Sequence, residues 1–458
     1  MELDTIITGG TVVTGQSMFD AAVAINDGTV VGVGSERSLP EADRRIDATG
    51  LLVLPGVVDP HVHLAGYNSV DSYESGTAAA AAGGVTSVVN FAWQGFQEET
   101  RDWCDDGTLT EAVDRHREKM DSVLVDAGLH PVITSEDPAV FDELPALVEA
   151  GFPSFKMFTT DSIRLSHGFM EQLFDQFASL GAVGMVHTED HSVCERRTQE
   201  LKESPSPTAY SASRPPHSEA MAADSAVRLA LEADAKYYGV HTTSGAATDV
   251  IRSHKRDGSN VRAETCTHYT VFDERVYERL GNLAIMAPPL REPEDIEALY
   301  DGLRDGTLTI VSSDHVAATR ERKEQDDWWD SPKGVNSLQT GLSVFHDEAV
   351  IQRDFSYPDL VRLKCERPAQ TFGMPMKGRI EPGADADIVL FDPDETYSVS
   401  AAENHSKADF SIYEGRELTG RVKKTLLRGK LVADNGEIVA DPGHGELLAR
   451  TVPRWSHD

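Results

Sequence analysis

Residues 51–63 read LLVLPGVVDPHVH, an apolar run that ends on two histidines one residue apart. A short apolar run rich in β-branched residues reads as a buried strand. Side chains two residues apart on a strand share a face, so His61 and His63 aim their imidazoles at one point. Seven further runs repeat the pattern: GVTSVVNFAW (84–93), VDAGLHPVI (125–133), FPSFKMF (152–158), GAVGMVHTE (181–189), YYGVHTT (237–243), NVRAETCTHY (260–269) and LTIVSSDH (308–315). Between them lie helical patterns such as EAMAADSAVRLALEADA (219–235) and EDIEALYDGLRDG (294–306). Alanine-rich TAAAAAGGVT (77–86) reads as a helix stopped at Gly83-Gly84. Eight strands alternating with helices predict an α/β chain with a TIM-like (β/α)8 barrel over residues 55–376.

The ends of the chain differ in style. TIITGGTVVTG (5–15) and AAVAINDGTVVGVG (21–34) are short strands, with Gly-Gly and Asn-Asp-Gly placed to close hairpins. ADADIVLFD (384–392) and RVKKTLLRGKLVADNGEIVAD (421–441) resemble them, with a second turn at Asp434-Asn435-Gly436. Neither end is large enough alone, so residues 1–54 and 377–458 are expected to combine into one small β-sandwich.

Composition narrows the classes of function. The 458 residues are 40% hydrophobic and 26% charged, with 76 acidic against 42 basic side chains and a net charge of −34. That field repels nucleic acid and anionic lipid, so neither is an expected partner. No apolar run approaches the roughly 20 residues of a membrane-spanning helix. The start MELDTIITGG lacks the basic and apolar regions of a secretory signal, which predicts a cytoplasmic protein. Dispersed acid and an excess of Arg over Lys suggest adaptation to concentrated salt, where screening is short-ranged. Cys104, Cys194, Cys266 and Cys365 are far apart and form no CxxC pair, so they are expected to be free thiols.

Candidate ligands recur where strands meet polar loops. His187 follows GAVGMV, His241 follows YYGV, and Asp314-His315 follows LTIVSS. Catalytic residues of a barrel sit at such carboxyl ends. Any one of these histidines could be a satisfied core residue, but their joint placement predicts a metal site. Lys156 lies inside apolar FPSFKMF, where an unpaired ammonium is costly to bury. Desolvation favours the free amine, which can add carbon dioxide to give a carbamate able to bridge two metals.

At this point the sequence resembles the cyclic amidohydrolases, namely dihydropyrimidinases (hydantoinases), allantoinases and more distantly dihydroorotases. PGVVDPHVH, ESGTAAAAAGGVTSVVNF, SFKMF, VHTED, ETCTHY, APPLR, SSDH, GVNSLQTGL and GRIEPGADADIVLFD occur in that family's order and span essentially the whole chain. The resemblance implies two divalent ions, zinc by expectation, with manganese, cobalt or iron also compatible. It implies that His61 and His63 bind the first, His187 and His241 the second, that a carbamate on Lys156 bridges them, and that Asp314 contacts the first and serves as general base and acid. It also implies main-chain substrate contacts at Ala287 and Asn336, and a homo-oligomer, tetramer or dimer. Dihydroorotases typically carry an arginine two residues after the histidine pair, where this chain has Ala65. Dihydropyrimidinases place an oxyanion-binding tyrosine five residues after the bridging lysine, where this chain has Asp161, a carboxylate that would repel that charge. Allantoinases lack that tyrosine. The expected activity is therefore ring opening of a small cyclic amide, dihydropyrimidinase- or hydantoinase-like, with allantoinase as the alternative. A barrel scaffold without catalysis is the alternative of a different class.

Overall fold

The computed structural model describes residues 3–97, 102–104, 107–255 and 260–455. Eight parallel strands, Val57–His63, Val85–Trp93, Asp126–Val132, Ser154–Phe158, Val183–His187, Lys236–Gly239, Val261–Cys266 and Ile310–Ser312, pair in chain order. Each of the eight runs read from the sequence supplies one. The eighth strand is broken. Ile310–Ser312 pairs with the seventh, and after Ser313 and Asp314 the chain resumes as His315–Val316 against the first, with His315 opposite Val62 and Val316 opposite His63. This break closes the sheet into a barrel, which leaves no strand edge in need of cover.

Helices pack outside the strands with one apolar face inward. His167–Leu180, between the fourth and fifth strands, buries Phe169, Met170, Leu173, Phe174 and Phe177, a stripe at helical spacing. Five such side chains contribute on the order of 10 kcal/mol of transfer free energy before the entropy of ordering them. The alanine-rich helix runs from Tyr73 to Ala82, begins in a capping box at Ser72, and ends at Gly83 with Gly84 in the left-handed region at φ 80°.

The chain ends interleave in a two-sheet sandwich. One sheet orders Thr29–Gly34, Ala22–Asn26, Leu3–Thr8 and Ala42–Asp47. The other orders Glu437–Ile438, Lys430–Asp434, Glu417–Leu427, Ile388–Ser398, Leu52–Pro55, Thr11–Val13 and Met18–Asp20. Leu52–Pro55 is the seam, parallel to Thr11–Val13 and antiparallel to Ile388–Ser398. Ile7, Val23 and Ile25 from one sheet meet Val53, Ile388 and Leu426 from the other. Both Asn/Asp-Gly turns form as expected, with Asp27 and Gly28 at φ 49° and 71°, and Asn435 and Gly436 at 49° and 86°. The Gly9-Gly10 expectation fails, because Leu3–Thr8 and Thr11–Val13 belong to different sheets. Gly9, at φ 79°, carries the chain from one sheet to the other, and a Cβ on Gly10 would come within 2.7 Å of Val53. Small size between packed sheets, and not hairpin chemistry, accounts for the pair.

A buried lysine fastens sandwich to barrel. Lys377 Nζ donates to Asp126 Oδ2 (2.6 Å) at the start of the third barrel strand and to Asp387 Oδ2 (2.8 Å) beside the sandwich, and pairs with Asp385 (2.8 Å). Arg428 also reaches Asp126. The last described residues run under the barrel, where Leu447 bridges Ala127 and Arg450 donates to the Leu129 carbonyl. All four cysteines are free thiols, and Cys194, Cys266 and Cys365 are buried. Among the described residues no helix is long and apolar enough to cross a membrane.

Candidate metal centre and its cavity

The carboxyl ends of the strands open on a cavity of about 770 Å³ whose wall includes His61, His63, Lys156, His187, His241 and Asp314. His61 and His63 point to one face as strand parity requires. Their Nε2 atoms lie 3.1 and 3.2 Å from the same oxygen, Asp314 Oδ1. Asp314 reaches them because it occupies the break in the eighth strand, at φ 43°. Donor atoms of these three residues lie within 4.8 Å of one another, a spacing that could hold a metal ion.

The second cluster comes from the fifth and sixth strands. His187 Nδ1 faces His241 Nε2 at 2.9 Å. The sixth strand ends at Gly239, so His241 stands two residues beyond it, at φ 36°. Such left-handed non-glycine residues cost about 1–3 kcal/mol each and collect at functional sites. Lys156, in the middle of the fourth strand, is 2% exposed, with its Nζ 5.0 Å from the Phe91 ring and 5.2 Å from the Phe158 ring.

Protonation follows from this packing. Burial pushes His63 down to about 4 and lowers His187 and His241, so all three present neutral nitrogens. Burial also opposes charge on His61, but the Asp314 and Glu264 carboxylates overcome it and lift the ring to about 9, a proton in the place a cation would take. Burial brings Lys156 down to about 8, within reach of its free amine. Asp314 stays ionised in spite of burial because His61 and His63 face it. Neutral imidazoles, an accessible amine and an ionised carboxylate are what a pair of divalent cations requires, so the donor set fits. The other cluster with metal-like spacing, Asp126, Asp385 and Asp387, already holds the Lys377 ammonium.

Two buried carboxylates orient these rings. Glu264, in the seventh strand, accepts from His61 Nδ1 and from the Tyr238 hydroxyl (2.7 Å), which turns His61 Nε2 toward Asp314. Glu189 Oε2 accepts from His187 Nε2 (2.8 Å), which turns Nδ1 toward His241. A second partner that fixes the tautomer is usual for ligating histidines. Neither was singled out from the sequence. Glu264 carried a signal, an acidic residue inside an apolar strand, and Glu189 carried a weaker one, two residues beyond His187.

His315 points away from this centre. Its Nε2 is 2.9 Å from Asp71 Oδ2, and its Nδ1 accepts from the backbone of Ser337 (3.2 Å) and Leu338 (3.3 Å). It thereby ties the loop after the first strand to the segment that carries Asn336. Lys323, fully buried, binds that segment from the other side, with Nζ donating to the carbonyls of Ile285 (2.5 Å), Pro332 (2.6 Å) and Gly334 (3.0 Å). Ala287 lines the cavity, while Asn336 is 4% exposed just behind Gly334. Gly334 itself is at φ 120°, and a Cβ there would stand 2.5 Å from Val316.

Asp161 is not the bare carboxylate that its sequence position suggested. Its Oδ1 accepts from Arg214 at 2.9 Å, and Lys333 Nζ lies 3.4 Å away. Arg214 is in turn paired with Glu189. The two cations offset the charge expected to repel an oxyanion.

A β/α barrel with this donor set at the carboxyl ends of its strands is the architecture of a hydrolase that works with divalent cations. The sequence model of the amidohydrolase family matches residues 52–432, from the sandwich seam through the barrel and back, and the chain belongs to that family. It is 32% identical to a D-hydantoinase of Geobacillus stearothermophilus, over 97% of this chain and 96% of that one. It is 30% identical to an allantoinase of Salmonella choleraesuis, over 98% and 99% of the two chains. The crystal structure of a dihydropyrimidinase from Brevibacillus agri superposes with a TM-score of 0.93 at 31% identity, covering 99% of this chain and all of that one.

Proposed function

We propose that the chain hydrolyses the ring amide of a five- or six-membered cyclic ureide, a hydantoin or dihydropyrimidine. The observation that carries this is the convergence of four imidazoles, Lys156 and Asp314 on one cavity in a chain similar along its length to hydantoinases. His61, His63 and Asp314 would hold one cation, His187 and His241 the other, and Lys156, as a carbamate formed from its amine and carbon dioxide with release of a proton, would bridge them. Zinc suits these ligands best, with manganese, cobalt or iron compatible. When bound, the two cations supply a water made acidic enough to attack near neutral pH and polarise the ring carbonyl.

The residues supply the rest. Asp314, fixed between two imidazoles, takes the proton lost by the attacking water and returns it to the leaving ring nitrogen, so that the amide C–N bond breaks to a carboxylate and a ureido –CO–NH2 group. Glu264 and Glu189 keep His61 and His187 turned to the centre. Main-chain groups at Ala287 and Asn336 would hold the ring, presented by the Lys323 and His315 ties. We further propose a homo-oligomer, tetramer or dimer, by family resemblance, a cytoplasmic setting, and adaptation to concentrated salt from the acidic excess of 34 charges. The test is hydrolysis of hydantoin, dihydrouracil and allantoin with added zinc, manganese or cobalt in high salt. Turnover of at least one ring, lost on chelation, is expected. No turnover of any, with no metal retained by protein purified without chelator, would favour a scaffold.

A further inference from the structure

Past Asp161 the main cavity adjoins a second chamber of about 220 Å³. Asp161, His191, Glu195, Trp329 and Lys333 belong to both walls, so the Asp161–Lys333 pair stands at the junction. Its hydrogen-bonding capacity is only partly used. Asp161 Oδ1 accepts from Arg214, whereas Oδ2, among the described residues, has only Lys333 as a hydrogen-bond partner, at 3.5 Å. Lys333 Nζ has Asp161 as its hydrogen-bond partner among the described residues, at 3.4 and 3.5 Å, long beside the roughly 2.7–2.9 Å of a charge-assisted bond. An ammonium has three donors and a carboxylate about four acceptor sites, so each can take a ligand atom without giving up its partner. The side chains of Asp161 and Lys333 are 42% and 32% exposed, toward the cavity. Asp161 is held in place from behind by Arg214 and by its own left-handed backbone at φ 61°.

Within the network that holds Asp161 the charges balance, and Glu195 on the same walls lies 3.1 Å from the His191 ring. Asp161 and Glu189 are matched by Arg214 and Lys333 within one connected network. A charged substituent would be drawn to one member of the junction pair and repelled by the other. A neutral group that offers an N–H beside a C=O satisfies both.

We propose that Asp161 and Lys333 form a subsite for the arm of the cyclic substrate, and that this subsite selects a neutral carboxamide or urea, with the N–H donating to Asp161 and the carbonyl accepting from Lys333. The subsite rests on the ring-opening function proposed above. It locates the substrate's second recognition point about Asp161, which stands where dihydropyrimidinases place a tyrosine, and its partner Lys333.

The experiment compares three hydantoins that differ only at C5: an acetamide arm, the isosteric isobutyl arm and the acetate arm. For the metal-loaded protein, kcat/KM is expected to favour acetamide over isobutyl by roughly 10- to 100-fold, the worth of hydrogen bonds to charged partners, and over acetate as well. In Lys333→Met and in Asp161→Gly, a change the left-handed backbone tolerates, the acetamide-to-isobutyl ratio should fall at least about tenfold. Equal ratios in both variants and the unaltered protein, or a preference for isobutyl or acetate, would overturn the subsite. Calorimetric binding of the same compounds separates the two proposals. If no ring is opened but acetamide binds preferentially and Lys333→Met abolishes the preference, the subsite stands and the ring-opening function falls. If binding shows no preference, the subsite falls.

Discussion

Lys377→Met removes one ammonium from the junction of barrel and sandwich, and its cost can be worked from the contacts. Lys377 is 4% exposed, and so are Asp126 and Asp387 at 2% each, while Asp385 is 24% exposed. Asp126 would keep Arg428, and Asp385 could turn to water. Among the described residues Asp387 would keep one hydrogen bond to its carboxylate, from the backbone N–H of Arg428 at 2.9 Å, and no direct ion pair. Methionine matches the lysine stem, so packing changes little and the loss is chiefly one buried charge left without a cation, about 3–5 kcal/mol. If all 458 residues melt together, the entropy of unfolding is about 1 kcal/mol per degree, which converts the loss to roughly 3–5 °C. The sign with pH is fixed. Burial already holds Asp387 above the usual carboxylate range, against the pull of Lys377 and helped by Asp126, and removing the ammonium raises it further. A carboxylate raised in the native state binds its proton there first, so native stability falls as pH rises through that interval. The penalty should therefore be larger near pH 8 than near pH 5.5. Scanning calorimetry at one scan rate measures it, with Lys377→Met/Asp387→Asn expected to recover more than half of the loss. A melting point within about 1 °C of the unaltered protein near pH 8, or an equal drop at both pH values, would show that Asp387 does not depend on Lys377 for its charge balance.

Two further outcomes follow from the site and one from the net charge. Glu264→Gln keeps the shape but weakens the carboxylate that orients His61, and metal retained after dialysis should fall roughly 10- to 100-fold in affinity, read by metal analysis. Lys156→Ala should abolish ring opening and be partly rescued by a short carboxylic acid, while the unaltered protein should show a mass increase of one carbamate under gentle ionisation; neither rescue nor mass shift would remove the bridging role. The acidic excess of 34 charges predicts a melting point that rises by several degrees between millimolar and molar KCl, as the Debye length shrinks from about 10 Å at 0.1 M to about 3 Å at 1 M, and an unchanged melting curve would sink the salt adaptation.

Features that depend on near neighbours were legible in the amino-acid order. Strand parity put His61 and His63 on one face, apolar period marked all eight barrel strands, and Asn/Asp-Gly chemistry fixed the turns at 27–28 and 435–436. Each is a property of a few consecutive residues and survives without knowledge of the rest of the fold. Gly9-Gly10 misled because the same dipeptide serves a hairpin or a crossing between sheets, and only the sheets decide.

Contacts between residues far apart in the chain came only with the fold. The broken eighth strand brought Asp314 to one oxygen's reach of two histidines some 250 positions earlier, and strand order set His187 against His241. Glu264 reached back 203 residues to orient His61. Asp161 looked from its position like a repelling anion, until the fold set Arg214 and Lys333 beside it, the latter 172 residues away. A side chain's charge is written in the sequence, but the field it stands in is the sum over neighbours that only the closed barrel assembles.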